Sequence, residues 1–261
     1  VTSIDHAAWA AYLLASVDDR SPVAAITKQI DEFSIDDAYA VQAALLELHL
    51  GRGDRLAGAK LGLTSAAKQQ QMGVTEPVYG WMLESSVLNA SGEVELGELI
   101  HPRCEPEFVF VLGEDLAGPG VTSEDILDAT ESVTGGIEVI DSRYEAFSFT
   151  LPDVVADNTS AARVAIGSSA IGPRDVDLTT LECVFEIDGE VAATSTGAAL
   201  LGDPAKCVAM LANHLGRHGQ KLQAGWTILA GAPTDAKPLA AGTQARALYS
   251  HLDTVSIVAR R

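Results

Sequence analysis

His101-Pro102-Arg103-Cys104-Glu105-Pro106-Glu107-Phe108-Val109-Phe110-Val111-Leu112 is the stretch from which the rest of the chain can be read. A proline turn runs into an apolar block rich in β-branched and aromatic residues, which predicts a strand. Side chains alternate faces along a strand, so Glu105 and Glu107 point the same way, roughly 6–7 Å apart. Two like charges on one face of an otherwise apolar strand repel each other and resist burial. A proton, a basic side chain or a metal ion must offset them. Pro106 donates no backbone hydrogen bond, which suits an edge or a strand start beside a cleft. Taken alone, a Glu-x-Glu pair also fits a solvated strand end.

A second acidic block changes the weighting. Gly136-Ile137-Glu138-Val139-Ile140-Asp141-Ser142-Arg143-Tyr144 places Glu138 inside another apolar run, where an unpaired carboxylate is costly. Three carboxylates on two neighbouring strands would form an all-oxygen site, suited to Mg²⁺, Mn²⁺ or Ca²⁺ rather than Zn²⁺.

Composition sets outer limits. The 261 residues suffice for one large or two small domains, and the formal net charge of −19 argues against nucleic acid and anionic membrane surfaces. Cys104, Cys183 and Cys207 are widely spaced and odd in number, so neither a disulfide framework nor a zinc site is expected. The sequence shows no signal peptide or transmembrane run, and a cytoplasmic protein is expected.

Read in order, the chain begins with an amphipathic helix over residues 5–17 and a second from Ser34, with Asp37 completing a capping box, to about His49. Ala57–Thr64 reads as a short buried strand followed by a helix from Ser65 to Met72. Lys60 is its lone charge, either snorkelling to solvent or facing a cleft. Glu76–Gly80 reads as a turn. Short strands are expected at Ser86–Leu88 and Val94–Leu96, and a helix over Ser123–Val133, capped by Ser123 and broken by Thr134-Gly135-Gly136. Residues 150–160 read as a polar loop, functional or simply a capped turn. Asp188-Gly189 between Cys183–Ile187 and Glu190–Ala193 signals a type I′ hairpin. Asp203 and Pro204 start a helix with Val208, Leu211 and Leu215 on one face. Strands are expected at Trp226–Ala230, Ala245–Tyr249 and Val255–Val258, with a turn over Gly231–Asp235. The pattern predicts a mixed, mainly antiparallel α+β fold, without the βαβ alternation of a Rossmann fold or TIM barrel.

Several blocks together resemble one family. Lys60-Leu61-Gly62-Leu63-Thr64-Ser65, Glu76-Pro77-Val78-Tyr79-Gly80, Glu105-x-Glu107, Glu138-Val139-Ile140-Asp141-Ser142-Arg143 and Val155-Ala156-Asp157-Asn158 are similar to the hydratase/decarboxylase branch of the fumarylacetoacetate hydrolase superfamily. The resemblance implies a β-roll catalytic domain with flanking helices (residues 76–261) after a helical N-terminal lead-in (residues 1–75). It implies that Glu105, Glu107 and Glu138 bind Mg²⁺ or Mn²⁺. Lys60 is the expected catalytic cation, and Leu61, Asp157, Asn158, Ser160 and Thr234 are the expected substrate-binding residues. The implied reaction is decarboxylation of 2-oxo-3-hexenedioate (4-oxalocrotonate) in meta-cleavage degradation of aromatics. Its alternatives are hydration of 2-hydroxypenta-2,4-dienoate and a non-catalytic partner subunit. Phe147 falls where the hydratases more often carry tryptophan. A homo-oligomer, and a complex with the hydratase of the same pathway, are the implied partners. The run Tyr249–Val255 departs from the glycine-containing turn common in the family, which leaves a hairpin there unspecified.

Overall fold

Capped helices open the chain. In the computed structural model, which describes residues 4–88 and 92–261, helix α1 (His6–Asp19) starts at Asp5, whose carboxylate accepts from the Ala8 N–H. Helix α2 (Ile35–Gly51) carries the expected capping box between Ser34 and Asp37. Leu13, Leu14, Val41 and Leu45 form an apolar cluster that reaches Tyr144, Val155 and Ala156.

The remaining elements alternate irregularly. They run β1 (Leu56–Gly62), α3 (Ala66–Met72), β2 (Val78–Leu83), β3 (Glu93–Glu95), β4 (Arg103–Leu112), α4 (Ser123–Ala129) and β5 (Thr130–Ile140). Next come α5 (Leu151–Ala156), β6 (Ala161–Ile166), β7 (Glu182–Ile187), β8 (Glu190–Thr196) and α6 (Pro204–Arg217). The chain ends with β9 (Thr227–Leu229), β10 (Lys237–Pro238), β11 (Gln244–Tyr249) and β12 (Val255–Arg260). One seven-stranded sheet has the order β2-β1-β9-β4-β5-β6, with β10 also on β4; a five-stranded sheet has the order β3-β12-β11-β7-β8. Among the named strands of the described residues, only β1 with β9 and β12 with β3 pair in parallel, so the expected mixed, mainly antiparallel α+β fold is present. The main core lies between the sheets and under α6, whose Val208, Leu211 and Leu215 are buried as expected.

Several local expectations are corrected. The helix from Ser123 stops at Ala129 and is capped by Thr122, not Ser123. Thr134-Gly135-Gly136 breaks nothing: it lies inside the eleven-residue β5. A Cβ on Gly135 would sit 2.2 Å from the Tyr249 ring, so the glycine makes room for a neighbour. The expected turn at Glu76–Gly80 is instead half strand, because β2 begins at Val78 and pairs antiparallel with β1. The polar loop at 150–160 contains α5, with a capping box between Thr150 and Asp153. Ser86–Leu88 contributes only an isolated bridge from Val87 to Val164. A hairpin does join β11 to β12. The expected division between residues 75 and 76 separates β1 from β2, two strands that pair with each other in the seven-stranded sheet.

Candidate metal centre

Strand register brings the acids together. Glu105 on β4 lies directly opposite Glu138 on β5, and Glu107 follows two residues on, opposite Gly136. Carboxylate oxygens of all three come within 4.8 Å of one another, and all three side chains are buried. Pro106 fits its place for the expected reason. On the side of β4 away from β5, β9 pairs with Val109–Val111 and β10 with Arg103–Cys104, leaving a local edge between them. Phe108 turns its carbonyl to that side, accepting from Ala230 N–H at 2.8 Å, and Pro106 shares its orientation, so the missing donor is not needed.

The fourth charge is Lys60. It stands on β1, 4% exposed, with Nζ 3.0 Å from Glu138 Oε2. Lys60 Nζ also donates to the Thr159 carbonyl, at 3.3 Å. Of the two readings of Lys60, snorkelling to solvent is ruled out, because the ammonium is buried and turned to Glu138. Fully ionised, three carboxylates and one ammonium leave a net charge of −2. Burial raises the Glu138 pKa to about 7 against the pull of Lys60. Burial, then the charges of Glu138 and Glu105, holds Glu107 well above the usual carboxylate range. For Lys60 burial pulls the pKa down, but the glutamates, Glu138 foremost, outweigh it and raise it.

Glu107 shows the clearest demand for a ligand. It is 0% exposed; Oε2 accepts from Gly231 N–H at 2.7 Å, while Oε1 is buried with no partner among the described residues. A bare buried carboxylate oxygen is costly, and a hard cation among oxygen donors removes that cost. The residues therefore fit a divalent metal ion. Beneath them, Met82, Val109, Val164 and Leu229 form an apolar floor.

The other expected site residues divide. Thr234 has a buried hydroxyl with no hydrogen-bond partner among the described residues. The Leu61 side chain is 2% exposed and packs into the main core, on the strand face opposite Lys60. Asp157 pairs with the buried Arg143 guanidinium and accepts from Ser160 Oγ at 3.2 Å. Asn158 bonds the Trp81 backbone twice, accepting from its N–H at 2.6 Å and donating to its carbonyl at 2.9 Å. Asp157, Asn158 and Ser160 thus fasten the turn that presents the Thr159 carbonyl to Lys60. Arg143 takes Asp157 and the Asp141 carbonyl.

Sequence reasoning missed two contributors. Tyr249 Oη donates to the Glu107 carbonyl at 2.7 Å, and the Gly136 carbonyl is 2.9 Å away. Gly231 supplies its N–H to Glu107 from the turn after β9. Neither residue carries a local sign of this; both reach the site through long-range packing. A cavity of about 890 Å³ lies elsewhere, around Tyr39, Tyr79 and His214, and none of the three glutamates or Lys60 lines it.

Fold and buried carboxylates define the class as a metal-site enzyme of the fumarylacetoacetate hydrolase type. The fold is shared with fumarylpyruvate hydrolase from Pseudomonas aeruginosa in complex with Mn²⁺ and pyruvate (TM-score 0.60, 16% identity, covering 77% of this chain and 88% of that one). Nearer relatives narrow it. The chain is 42% identical to the 4-oxalocrotonate decarboxylase of Pseudomonas sp. strain CF600 over 88% of each sequence. It is 42% identical to a 2-hydroxypent-2,4-dienoate hydratase of Pseudomonas putida over 77% of this chain and 90% of that one. The 4-oxalocrotonate decarboxylase from Pseudomonas putida G7, complexed with magnesium and adipate, superposes with a TM-score of 0.95 at 38% identity, covering 97% of each chain. The chain therefore belongs to the hydratase/decarboxylase branch of the fumarylacetoacetate hydrolase superfamily. No protein-family model matches the sequence. No helix of the described residues is long and apolar enough to cross a membrane.

Proposed function

We propose that this protein is a carbon–carbon lyase that decarboxylates 2-oxo-3-hexenedioate to 2-hydroxypenta-2,4-dienoate and CO₂. The observation that carries this reading is the buried cluster of Glu105, Glu107, Glu138 and Lys60, whose net charge of −2 one divalent cation balances. Glu105, Glu107 and Glu138 would hold Mg²⁺ or Mn²⁺, and that ion supplies positive charge where the 2-oxo acid end of the substrate gathers electrons. In the reaction the C5–C6 bond breaks and CO₂ leaves. The electron pair moves through the conjugated chain to the C2 oxygen, forming the C4–C5 and C2–C3 double bonds. A proton on that oxygen completes the dienol.

Lys60 is the residue we assign to proton handling at the substrate. Its ammonium is buried beside Glu138 and aimed by the Thr159 carbonyl, so it donates from a fixed position. Thr234 offers a free hydroxyl to orient the substrate. Leu61, Asp157, Asn158 and Ser160, expected to bind the substrate, also hold the strand and the turn around these groups. Self-association and a complex with the pathway's hydratase belong to the same proposal, and analytical ultracentrifugation of each mixture tests them.

The hydratase relative keeps a second reading in view: hydration of 2-hydroxypenta-2,4-dienoate at the same centre. One experiment separates them. The Mg²⁺-loaded protein is incubated with each substrate in turn. CO₂ from 2-oxo-3-hexenedioate is expected; turnover of 2-hydroxypenta-2,4-dienoate alone would assign the protein to the hydratases.

A further inference from the structure

Nearer the start of β4, on the face that carries the acids, stands a cation without a partner. Arg103, Glu105 and Glu107 alternate onto one face, with Ile140 opposite Arg103 where Glu138 is opposite Glu105. Arg103 is exposed. Among the described residues it pairs with no carboxylate. Its guanidinium carbon lies 4.3 Å from the centroid of the Phe147 ring. Ala146 and Phe147 both hold φ at 56°, a left-handed conformation that is strained for a bulky side chain. His101 packs on the same phenyl, with ring centroids 5.2 Å apart, and its Nε2 is buried without a hydrogen-bond partner. Arg103, His101 and Phe147 line one cavity of about 530 Å³, closed on another side by Pro238 and Leu239.

A guanidinium without a counter-charge and a buried ring nitrogen without a partner share this cavity, both steadied by one aromatic ring. The guanidinium is a donor lacking its acceptor, and His101 is a second one in the tautomer that carries its proton on Nε2. A planar fork stacked on a ring is suited to a carboxylate. We infer that Arg103 and His101 form the subsite for the carboxylate at the far end of the substrate, so that Arg103 selects a 2-oxo dicarboxylate over a 2-oxo monocarboxylate. The inference rests on the decarboxylase reading, because only that reaction needs a second carboxylate.

The carboxylate held here is the one that leaves. It carries a charge in the bound substrate and none as CO₂, so an ion pair to Arg103 strengthens the ground state more than the transition state. Its removal therefore raises KM without lowering kcat. The solvent exposure of Arg103 keeps that hold modest, which lets the charge disappear without a large barrier.

Two acids differing only at the far end test the subsite: 2-oxohexanedioate and 2-oxohexanoate, titrated calorimetrically into Mg²⁺-loaded protein. The wild type is expected to bind the diacid roughly 10-fold or more tightly than the monoacid. Arg103→Ala is expected to bring the ratio to about one, with the Kd of 2-oxohexanoate unchanged, and to raise KM for 2-oxo-3-hexenedioate by roughly the same factor with no fall in kcat. His101→Phe lowers the ratio in the same direction. A wild type that does not discriminate, an Arg103→Ala ratio equal to wild type, or parallel loss for both acids overturns the inference. A wild type that prefers the diacid yet releases no CO₂ from 2-oxo-3-hexenedioate keeps the subsite and sinks the decarboxylase reading.

Discussion

Glu107→Gln is expected to stabilise the metal-free protein and to remove its response to a divalent cation. Glu107 is fully buried, with one oxygen on the Gly231 N–H and the other bare. Its pKa, and that of Glu138, are raised in the folded state, first by burial. A group with a raised folded pKa contributes its stability below the unfolded value and loses it as pH rises through the folded one. Chelated wild type should therefore weaken as pH climbs from 4.5 through about 7, and for Glu138 alone that displacement is worth on the order of 3 kcal/mol. Glutamine cannot ionise and still offers a carbonyl to Gly231, so its gain in chelated protein at pH 8 is about 1–3 kcal/mol. For a chain of this size that is roughly 2–10 °C in melting temperature. Mg²⁺ at a hundred times its Kd adds about 2.7 kcal/mol to the wild type, and little to the variant. The assay is thermal unfolding of both proteins at pH 5 and pH 8, with chelator and with Mg²⁺. If chelated Glu107→Gln at pH 8 melts below chelated wild type, or gains as much from Mg²⁺, the three glutamates are a structural network and not a metal centre.

Three further outcomes are expected. Lys60→Met should lower kcat roughly 100-fold or more while the Mg²⁺-dependent rise in melting temperature persists; an effect on KM alone would reassign Lys60 to binding. Asp157→Asn leaves the buried Arg143 without its counter-charge and should destabilise by about 3–5 kcal/mol in urea unfolding at pH 7, whereas a loss under about 1 kcal/mol would show the pair to be dispensable. In Gly80→Ala the new Cβ would lie 2.2 Å from Thr159 Oγ1 and 2.4 Å from the Asn158 carbonyl oxygen. A cost of about 1–3 kcal/mol is expected, together with a fall in kcat as the turn moves off Lys60; wild-type values for both would mean that turn does not aim the lysine.

What could be read from sequence was whatever a short window decides. The alternation in Arg103–Leu112 put Glu105 and Glu107 on one face, and the cost of Glu138 inside an apolar run called for a partner; both hold in the structure. Asp203-Pro204 and Asp188-Gly189 are equally local signals, and both elements form as expected. Val78–Leu83 failed because all six residues are buried, so no alternation marks the strand. Residues 150–160 misled in another way. A dense set of polar groups suits a ligand, but it equally suits a turn that must be fastened to Arg143 and Trp81, and only tertiary contacts decide between these.

The glycines show most clearly where local reading ends. Gly80, Gly135 and Gly231 each look like a turn or a break within a few residues, yet each is set by an element far along the chain. Gly80 admits the turn whose Thr159 carbonyl receives Lys60. Gly135 admits the Tyr249 ring, whose hydroxyl reaches the Glu107 backbone. Gly231, at φ 124°, leaves space that Thr64 occupies and turns its N–H to the Glu107 carboxylate. The acids and the lysine carry the charge of the centre, but these absent side chains permit the approach of the groups that hold them in place. A relative that kept Glu105, Glu107, Glu138 and Lys60 but replaced Gly231 with a β-branched residue would retain every recognisable motif. It would still lose the N–H that fixes one Glu107 oxygen, and with it the orientation of the other toward the cation.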